Sequence, residues 1–292
     1  MAGVENKPVH LSNTLIDGLL VSYLTFTALL CLFWLDGNHI IGLHVILVLG
    51  IFALRTIKWS KRQLCHDWYA VIMVPLLYGE LNTLSGMAGG KVYDDLVLSW
   101  EYALFAGTSP AMWLSEKFPY MWLSEYFHFC YLAFYVLIPW LGYRIYKSVG
   151  GETFRLYVWS VMSAYIATFV VQIFFPVVGP RPLSPPLAEE VQGPFWQFCH
   201  FLCGHGASNA AAFPSSHVTV GVAVALSAWY WDKRALIALI PVTAGLSLCT
   251  VYGRFHYAVD ALAGALLAVF FIQWGRWTYR RLHNLPHGVT VD

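Results

Sequence analysis

The sequence predicts an all-α fold, a polytopic bundle of membrane-spanning helices. Hydrophobic residues make up 58% of the chain and charged residues only 11%, whereas a soluble domain carries roughly 25% charged residues. This deficit of charge is too large for a surface that faces water alone, so part of the surface is expected to face lipid. The 13 Trp and 17 Tyr residues are typical of the aromatic belts at the two faces of a bilayer.

Eight apolar segments are candidates for helices that cross the bilayer, which requires about 20 mostly apolar residues. The second and sixth segments are the weakest candidates. The first segment lacks a small-residue cleavage site, so it is expected to act as an uncleaved anchor. The predicted spans are Leu15–Leu35, Ile40–Leu54, Trp68–Ser85, Leu123–Tyr146, Phe154–Val178, His217–Trp231, Ala235–Tyr252 and His256–Trp274.

Basic residues predict the orientation of these spans, because they follow the second, fourth, sixth and eighth spans. The positive-inside rule places all of them, and therefore both termini, in the cytoplasm. The non-cytoplasmic side then receives the connections Gly86–Trp122 and Phe175–Ser216 and the turn at Gly253. Within the first connection, Trp100–Trp113 is expected to lie along the membrane interface. The basic residues are Arg55, Lys58, Lys61, Arg62, Arg144, Lys147, Arg155, Lys233, Arg234, Arg276, Arg280 and Arg281.

Three polar clusters fall on the predicted non-cytoplasmic side: residues 179–182 (Gly-Pro-Arg-Pro), 213–217 (Phe-Pro-Ser-Ser-His) and 253–260 (Gly-Arg-Phe-His-Tyr-Ala-Val-Asp). Polar groups at membrane depth are costly and indicate function. In the third cluster, His256 and Asp260 are four residues apart at the predicted start of a helix, so they share a face. The carboxylate would fix the imidazole tautomer and leave the other ring nitrogen free to attack.

The other two clusters offer groups that bind and protonate a phosphate. Ser215 and Ser216 precede an apolar helix, whose first N–H groups can hold an anion, and His217 beside them can act as a general acid. Arg181 and Arg254 supply forked donors that match phosphate oxygens. Each feature alone has a structural explanation, such as a snorkelling arginine or a helix cap. Their coincidence predicts a phosphoryl-transfer site.

Three further polar residues lie in predicted spans: Glu80 in the third span, and Glu125 and His128 at the start of the fourth. Glu-x-x-His is a pattern of carboxylate metal bundles, but the second such pair that these bundles need is absent from the sequence. These residues are therefore expected to line the mouth of the pocket, to orient a catalytic group or to satisfy one another.

The cysteines predict neither a disulfide framework nor a zinc site. Cys199 and Cys203 are four residues apart with His200 and His205 nearby, but the ligand spacing is incomplete for zinc. No cluster of carboxylates indicates Mg²⁺, so no metal and no cofactor are expected. The segment Glu189–Gly206 has the aromatic and polar mix of a lid over the pocket.

The order Arg-Pro, Pro-Ser-x-His and His-x-x-x-Asp resembles the type 2 phosphatidic acid phosphatase (PAP2) superfamily over about Gln172–Ala268, and more loosely from Trp68 onward. The stretch Leu104–Leu114 is similar to the branch that includes inositol phosphorylceramide synthases. The resemblance implies a six-helix core, formed by the third to eighth spans, with two helices added in front of it.

The resemblance also implies a division of the chain and a role for each motif residue. Residues 1–66 would hold the two added helices and a basic loop, 67–276 the catalytic core, and 277–292 a cytoplasmic tail. His256 would form a phosphohistidine oriented by Asp260, with His217 as acid for the leaving group and no metal. The phosphate contacts would come from Arg181, Ser215, Ser216 and Arg254.

Three positions depart from the family pattern. Phe174 stands where the first motif usually carries a phosphate-binding Lys, and Ser216 stands where the second motif usually carries Gly. Cys249-Thr250 stands where the third motif usually begins with Ser-Arg. Arg254 is a candidate to supply the missing guanidinium from a different direction.

These observations predict an integral membrane enzyme that hydrolyses a lipid phosphate monoester or diphosphate. An alcohol acceptor in place of water would make it a lipid phosphotransferase, and the sequence leaves both acceptors open. A non-catalytic lipid-binding protein and a transporter are further alternatives, although the matching halves of a transporter are absent from the sequence. The expected partners are the lipid phosphate substrate and membrane lipids. A net charge of +1 gives no reason to expect nucleic acid, and the oligomeric state is left open.

Overall fold

The computed structural model describes residues 11–34, 38–56, 62–85, 89–206 and 210–282. These residues form twelve α-helices and no β-strand, which confirms the predicted all-α fold. The helices are α1 (Leu11–Trp34), α2 (Asn38–Thr56), α3 (Arg62–Gly79), α4 (Leu81–Leu84), α5 (Asp94–Leu104), α6 (Pro110–Lys117), α7 (Met121–Ser148), α8 (Gly151–Phe174), α9 (Pro194–Gly206), α10 (Ser216–Trp231), α11 (Lys233–Tyr252) and α12 (Ala258–Leu282).

Helices occur at all eight predicted spans, as α1, α2, α3, α7, α8, α10, α11 and α12. Six of them, all except α3 and α10, are long and apolar enough to cross a membrane, so the chain is a multi-pass membrane protein. The predicted weakness of the second span was wrong, since α2 has a mean hydropathy of 1.9. The third span is a weaker candidate for crossing the membrane than the second, because α3 carries the polar residues His66 and Asp67 and the helix breaks at Glu80.

α8 is the centre of the bundle. In its apolar stretch 83% of the residues are buried, against 17% in α2, which faces outward. α8 packs against α1, α7, α10 and α12, and α10 also packs against α11 and α12. The start of α10 therefore lies beside the start of α12, where the Ser215 N–H donates to the Asp260 carbonyl oxygen at 3.1 Å. Two of the polar clusters are thereby brought together.

Buried ion pairs tie the N-terminal helices to this centre. Asp17 of α1 accepts a hydrogen bond from Arg55 of α2 at 2.6 Å and lies 3.0 Å from Nε2 of His66 in α3. Arg155 of α8 donates to Asp67 of α3 at 3.1 Å. Since a buried charge without a partner is strongly destabilising, these pairs favour one arrangement of α1–α3 against α8.

The predicted division into three parts is not visible as breaks in the helices. Its boundary after residue 66 falls inside α3, and its boundary after residue 276 falls inside α12, which continues to Leu282. The division stays a prediction. Residues 283–292 of the predicted tail lie outside the described residues, as do Lys58 and Lys61 of the predicted basic loop.

Gly264 allows α12 to approach the start of α10 closely. A Cβ atom at this position would lie 2.6 Å from the Ser215 carbonyl oxygen and 3.2 Å from the Thr219 backbone nitrogen. Because backbone atoms have little freedom to move aside, we expect Gly264→Ala to lower the free energy of unfolding by about 1–3 kcal/mol. Thermal unfolding of the detergent-purified protein measures this.

Gly42 of α2 offers a matched control, since a Cβ there would meet no neighbouring atom within 4 Å. Gly42→Ala should unfold at or slightly above the wild-type temperature, because alanine favours the helix. Equal melting temperatures for Gly264→Ala and the wild type would contradict this account of the packing.

Candidate active site

A cavity of about 390 Å³ lies where the three polar clusters meet. Arg181, His217 and His256 each come from a different cluster, and all three line it. Most of the remaining wall is apolar or aromatic. The lining residues are Tyr78, Tyr131, Val178, Arg181, Pro182, Cys203, Ala211, Ala212, His217, Phe255 and His256.

His256 lies in the turn before α12, not inside the helix as its predicted span implied. Its Nδ1 atom is 2.8 Å from the Ala212 carbonyl oxygen and 3.6 Å from Oδ2 of Asp260. Because a carbonyl oxygen only accepts, Nδ1 carries the hydrogen and donates it. When the ring is neutral, Nε2 is then the bare nitrogen, which is the form that attacks as a nucleophile. The tautomer is thus held by a backbone carbonyl, with the expected carboxylate as the more distant neighbour.

Asp260 is fully buried in the first turn of α12. Its Oδ2 atom accepts a hydrogen bond from the Tyr257 N–H at 2.8 Å, so the side chain closes the turn that presents His256. Its charge lies 3.6 Å from Nδ1 of His256. A carboxylate at that distance favours positive charge on the imidazole, which develops when Nε2 forms a new bond.

His217 is the second residue of α10, in its first turn. The Ser215 hydroxyl is the cap, since it accepts a hydrogen bond from the Val218 N–H at 3.4 Å. The His217 ring stacks on Tyr131 at a centroid distance of 4.6 Å and lies 6.2 Å from the His256 ring. Both histidines are buried and border the same cavity, so one small group could contact both rings.

Arg181 begins a 3-10 turn, and its guanidinium carbon lies 5.5 Å from the centroid of the Phe255 ring. This position gives a cation–π contact and points the charge along the cavity wall. Gly179 makes the approach possible, because its φ is +87° and a Cβ there would lie 2.7 Å from the Phe255 carbonyl oxygen. A residue with a side chain would push the first cluster away from the third.

Three predicted phosphate contacts, Ser215, Ser216 and Arg254, are not among the cavity-lining residues in the described part of the chain. The two serines are buried at the start of α10. The Arg254 guanidinium instead donates to the Ser115 hydroxyl at 2.8 Å and to the Pro185 carbonyl oxygen. These bonds hold the connection after α8 against α6. A phosphate role for the three side chains stays a prediction.

Glu125 anchors the start of α9 and is not among the cavity-lining residues. Its two carboxylate oxygens accept hydrogen bonds from the Phe195 and Trp196 N–H groups, each at 3.0 Å. These N–H groups belong to the first turn of α9, where a negative charge is favourable. α9 occupies most of the segment Glu189–Gly206, and its Cys203 forms part of the cavity wall.

Glu80 and His128 are not among the cavity-lining residues either. Glu80 follows α3, and one of its carboxylate oxygens lies 2.9 Å from Nε2 of His44 in α2. His128 lies near the Ser124 carbonyl oxygen, with Nδ1 at 2.7 Å. Of the three expected roles, satisfying one another does not match these contacts, since Glu80 contacts α2, Glu125 contacts α9 and His128 bonds within α7. The other two roles stay predictions.

The described residues contain no group of three or more His, Cys, Asp or Glu side chains that could hold a metal ion. Cys199 and Cys203 are free thiols in α9. The side chain of His205, the remaining residue of the Cys–His group, lies outside the described part of the chain.

Two buried carboxylates that contact the clusters were missed in the sequence. Asp94 accepts a hydrogen bond from the Gly179 N–H at 2.9 Å, and Glu101 accepts one from the Ala258 N–H at 2.6 Å. Both lie in α5, seven residues apart and therefore on one helix face. The seven-residue spacing of the two carboxylates could have indicated a shared buried face. The tryptophans of this segment instead led to the prediction that it lies along the membrane interface.

Comparison with known proteins places this site in a family. The family model described as the PAP2 superfamily matches residues 96–274. A PA-phosphatase related-family protein of Dictyostelium discoideum is 25% identical over 136 residues, covering 42% of this chain. The matched region spans only 24% of the length of that relative. No solved structure matches the chain.

Helix α9 should become less stable in acid because of His200. Burial lowers the pKa of His200 to about 4, and the neighbouring His128 and Arg181 add to the shift. An unfolded histidine titrates near pH 6.5, about the usual value. The unfolded state therefore binds the proton more readily, and folded stability should fall as the pH drops from about 6.5 to about 4.

The melting temperature measured across this pH range tests the effect. We expect His200→Phe to reduce the acid-dependent loss, while His39→Phe, at an exposed position of α2, should leave the loss unchanged. An identical pH profile for the wild type and His200→Phe would show that His200 does not titrate in this way.

Proposed function

The chain belongs to the PAP2 superfamily, and we propose that it is a lipid phosphatase that acts through a phosphohistidine on His256. The proposed substrate is a lipid phosphate monoester or diphosphate. The observation that supports this most strongly is the shared cavity of His256, His217 and Arg181. The similarity to a PA-phosphatase related protein supports the same class of reaction.

In the proposed first step, Nε2 of His256 attacks the phosphorus atom while the bond between phosphorus and the lipid oxygen breaks. His217 donates a proton to that oxygen, so the lipid leaves as an alcohol. Arg181 would hold the charged oxygens of the phosphoryl group as it moves between them. The backbone N–H groups at the start of α10 are further candidates to bind these oxygens, because helix N-termini favour anions.

In the proposed second step, water attacks phosphorus and gives its proton to His217. The nitrogen–phosphorus bond then breaks, which releases inorganic phosphate and restores His256. Asp260 would stabilise the positive imidazole that exists between the two steps. Since each step uses only these side chains, we propose that the reaction needs no metal.

A lipid phosphotransferase is the second candidate. It is supported by the stretch Leu104–Leu114, which resembles the inositol phosphorylceramide synthase branch. It is also supported by α9, since Cys203 of this helix forms part of the cavity wall, and a wall that restricts bulk water favours a bound alcohol as acceptor. The first step would be the same, and an alcohol would replace water in the second.

We further propose that both termini are cytoplasmic and that the cavity opens on the non-cytoplasmic side. The basic residues Arg144 and Lys147 at the end of α7, and Lys233 and Arg234 at the start of α11, support this orientation. The basic start of α11 directly follows the end of α10, and the cavity residue His217 lies at the other end of α10, at its start.

His256→Ala should abolish phosphate release, because no other group in the proposed scheme replaces the nucleophile. We expect a loss on the order of 10³-fold or more, as for nucleophiles in comparable enzymes, and about 10²–10⁴-fold for His217→Ala, the proposed acid. The measurement is phosphate release from a panel of lipid phosphates by the detergent-purified protein with EDTA present. Trapping of labelled phosphate on the protein is measured in parallel.

His39→Ala serves as the control, because His39 is exposed on α2. Release by the wild type that survives His256→Ala would refute the proposed mechanism. Label on the wild type without release would indicate that water is a poor acceptor, and adding a polyol such as inositol then tests transfer. No label and no release from any lipid would leave a binding or transport function as the better explanation.

Two exposed lysines at the two ends of α7 test the orientation. Lys117 precedes α7 and Lys147 lies in its last turn, so they should lie on opposite sides of the membrane. In sealed right-side-out vesicles, a membrane-impermeant amine reagent should modify Lys117 and spare Lys147 until the vesicles are opened. Mass spectrometry reads both sites, and the reverse pattern would invert the proposed orientation.

A further inference from the structure

The short helix α5 carries two buried carboxylates outside the set of residues used in the proposed reaction. Asp94 is 7% exposed and Glu101 is fully buried, although α5 lies in a connection between membrane helices. The apolar side of α5 packs through Val97 against Val177, Ala212 and Tyr257. The helix therefore rests directly on the backbone segments that present the cavity residues.

Asp94 holds the first cluster to the third. Its Oδ2 atom accepts a hydrogen bond from the Val178 N–H at 2.9 Å, and its Oδ1 atom accepts one from the Gly179 N–H at 2.9 Å. Oδ1 also accepts a hydrogen bond from the Tyr257 hydroxyl at 3.2 Å. One carboxylate thus binds the backbone just before Arg181 and the residue just after His256.

Glu101 holds the start of α12 from the same helix face. Its Oε2 atom accepts a hydrogen bond from the Ala258 N–H at 2.6 Å and approaches the Val259 N–H at 3.5 Å. Its Oε1 atom accepts one from the Ser109 hydroxyl at 3.3 Å. The N–H groups at this helix start are therefore occupied by Glu101 and are not free for a phosphate.

Both contacts place a carboxylate in a buried position, where it accepts hydrogen bonds from backbone N–H groups. Burial raises the pKa of Glu101, and the nearby negative charge of Asp260 adds to this, while the hydrogen bonds from Ala258 and Val259 act in the opposite direction. A helix N-terminus favours a negative charge, which offsets part of the cost of burial. Burying two carboxylates costs free energy, and a connection between membrane helices does not need them for its own folding. We therefore infer that the position of α5 against the cavity segments matters.

We propose that Asp94 and Glu101 are positioning residues, which clasp the Arg181 loop and the His256 turn at a set separation. The inference rests on the proposed function in one respect, that Arg181 binds the phosphoryl group. Asp94 then acts through Arg181, and Glu101 acts through His256 and Asp260. Neither side chain lines the cavity in the described part of the chain, so neither needs to touch the substrate.

The test for Asp94 is a double-mutant comparison with Arg181. Asp94→Ala alone should lower kcat/KM for phosphate release about tenfold or more, the usual cost of removing a charged acceptor of hydrogen bonds. In an Arg181→Ala background the same change should cost much less, because the loop no longer presents a guanidinium. The proposal would be overturned if the loss of kcat/KM in the double variant equalled the product of the losses in the two single variants.

Two further variants guard against misfolding. Asp94→Asn keeps an acceptor oxygen and should retain more activity than Asp94→Ala, so the comparison can be repeated with it. Asp95→Ala changes the neighbouring carboxylate, which is exposed on the same helix, and should match the wild type. Equal losses in Asp94→Ala and Asp95→Ala would also overturn the proposal.

Glu101 is tested by the split between kcat and KM. Glu101→Gln keeps an oxygen that accepts from Ala258 and should preserve most of kcat, whereas Glu101→Ala should lower kcat with little change in KM. Asp95→Asn, at an exposed position of the same helix, is the matched control. A loss confined to KM, or no rescue by Gln over Ala, would contradict a role through His256.

Amide hydrogen exchange separates failure of this inference from failure of the proposed function. In peptides that cover residues 177–183, exchange should be faster in Asp94→Ala than in the wild type and unchanged in Asp95→Ala. Faster exchange in a protein whose wild type releases no phosphate would refute the proposed function and leave the clasp standing. Unchanged exchange in Asp94→Ala would refute the clasp whatever the activity.

Discussion

The hydrogen bond from Nδ1 of His256 to the Ala212 carbonyl oxygen is the contact on which the site depends. It fixes which ring nitrogen is bare, so Ala212 must be held firmly. The Ala212 N–H donates to the Val177 carbonyl at 2.8 Å, and Gln172 donates to two carbonyls in the segment 211–214, at 3.0 and 2.9 Å. Gln172 belongs to the last turns of α8, the most buried helix. The orientation of His256 therefore follows from the packing of the whole bundle.

Close backbone approaches explain why small residues recur in the clusters. Gly179 and Gly264 each lie where a Cβ would meet a carbonyl oxygen of another segment, at 2.7 and 2.6 Å. The polar backbone groups at these approaches need partners, since they lie away from water. Asp94 and Glu101 supply some of those partners from a connection, not from a membrane helix. The backbone segments of the site therefore depend on α5 for their hydrogen-bond partners.

The sequence predicted the eight helices at the candidate spans and the meeting of the three clusters, because apolar length and motif order are local properties of the chain. It could not predict which polar groups pair across the bundle. Glu80 lies beside His44, Glu125 binds α9, and Arg254 turns to Ser115. Each of these pairings depends on how distant helices pack. The position of His256 before α12 depends on where the helix starts, which hydropathy does not resolve.

The departure at Phe174 has a structural reason in the same packing. Its ring lies 6.1 Å from Phe26 of α1, and the residue is 46% exposed, so it faces the added N-terminal helix and the outside of the bundle. A lysine there would place an ammonium against apolar surroundings, which is unfavourable at membrane depth. Within the described residues, Arg181 is then the guanidinium that lines the cavity. A site with both an arginine and a lysine could bind a phosphate even if one of them were misplaced. Here Phe174 replaces the lysine, so phosphate binding depends more strongly on the placement of Arg181 by Gly179 and Asp94.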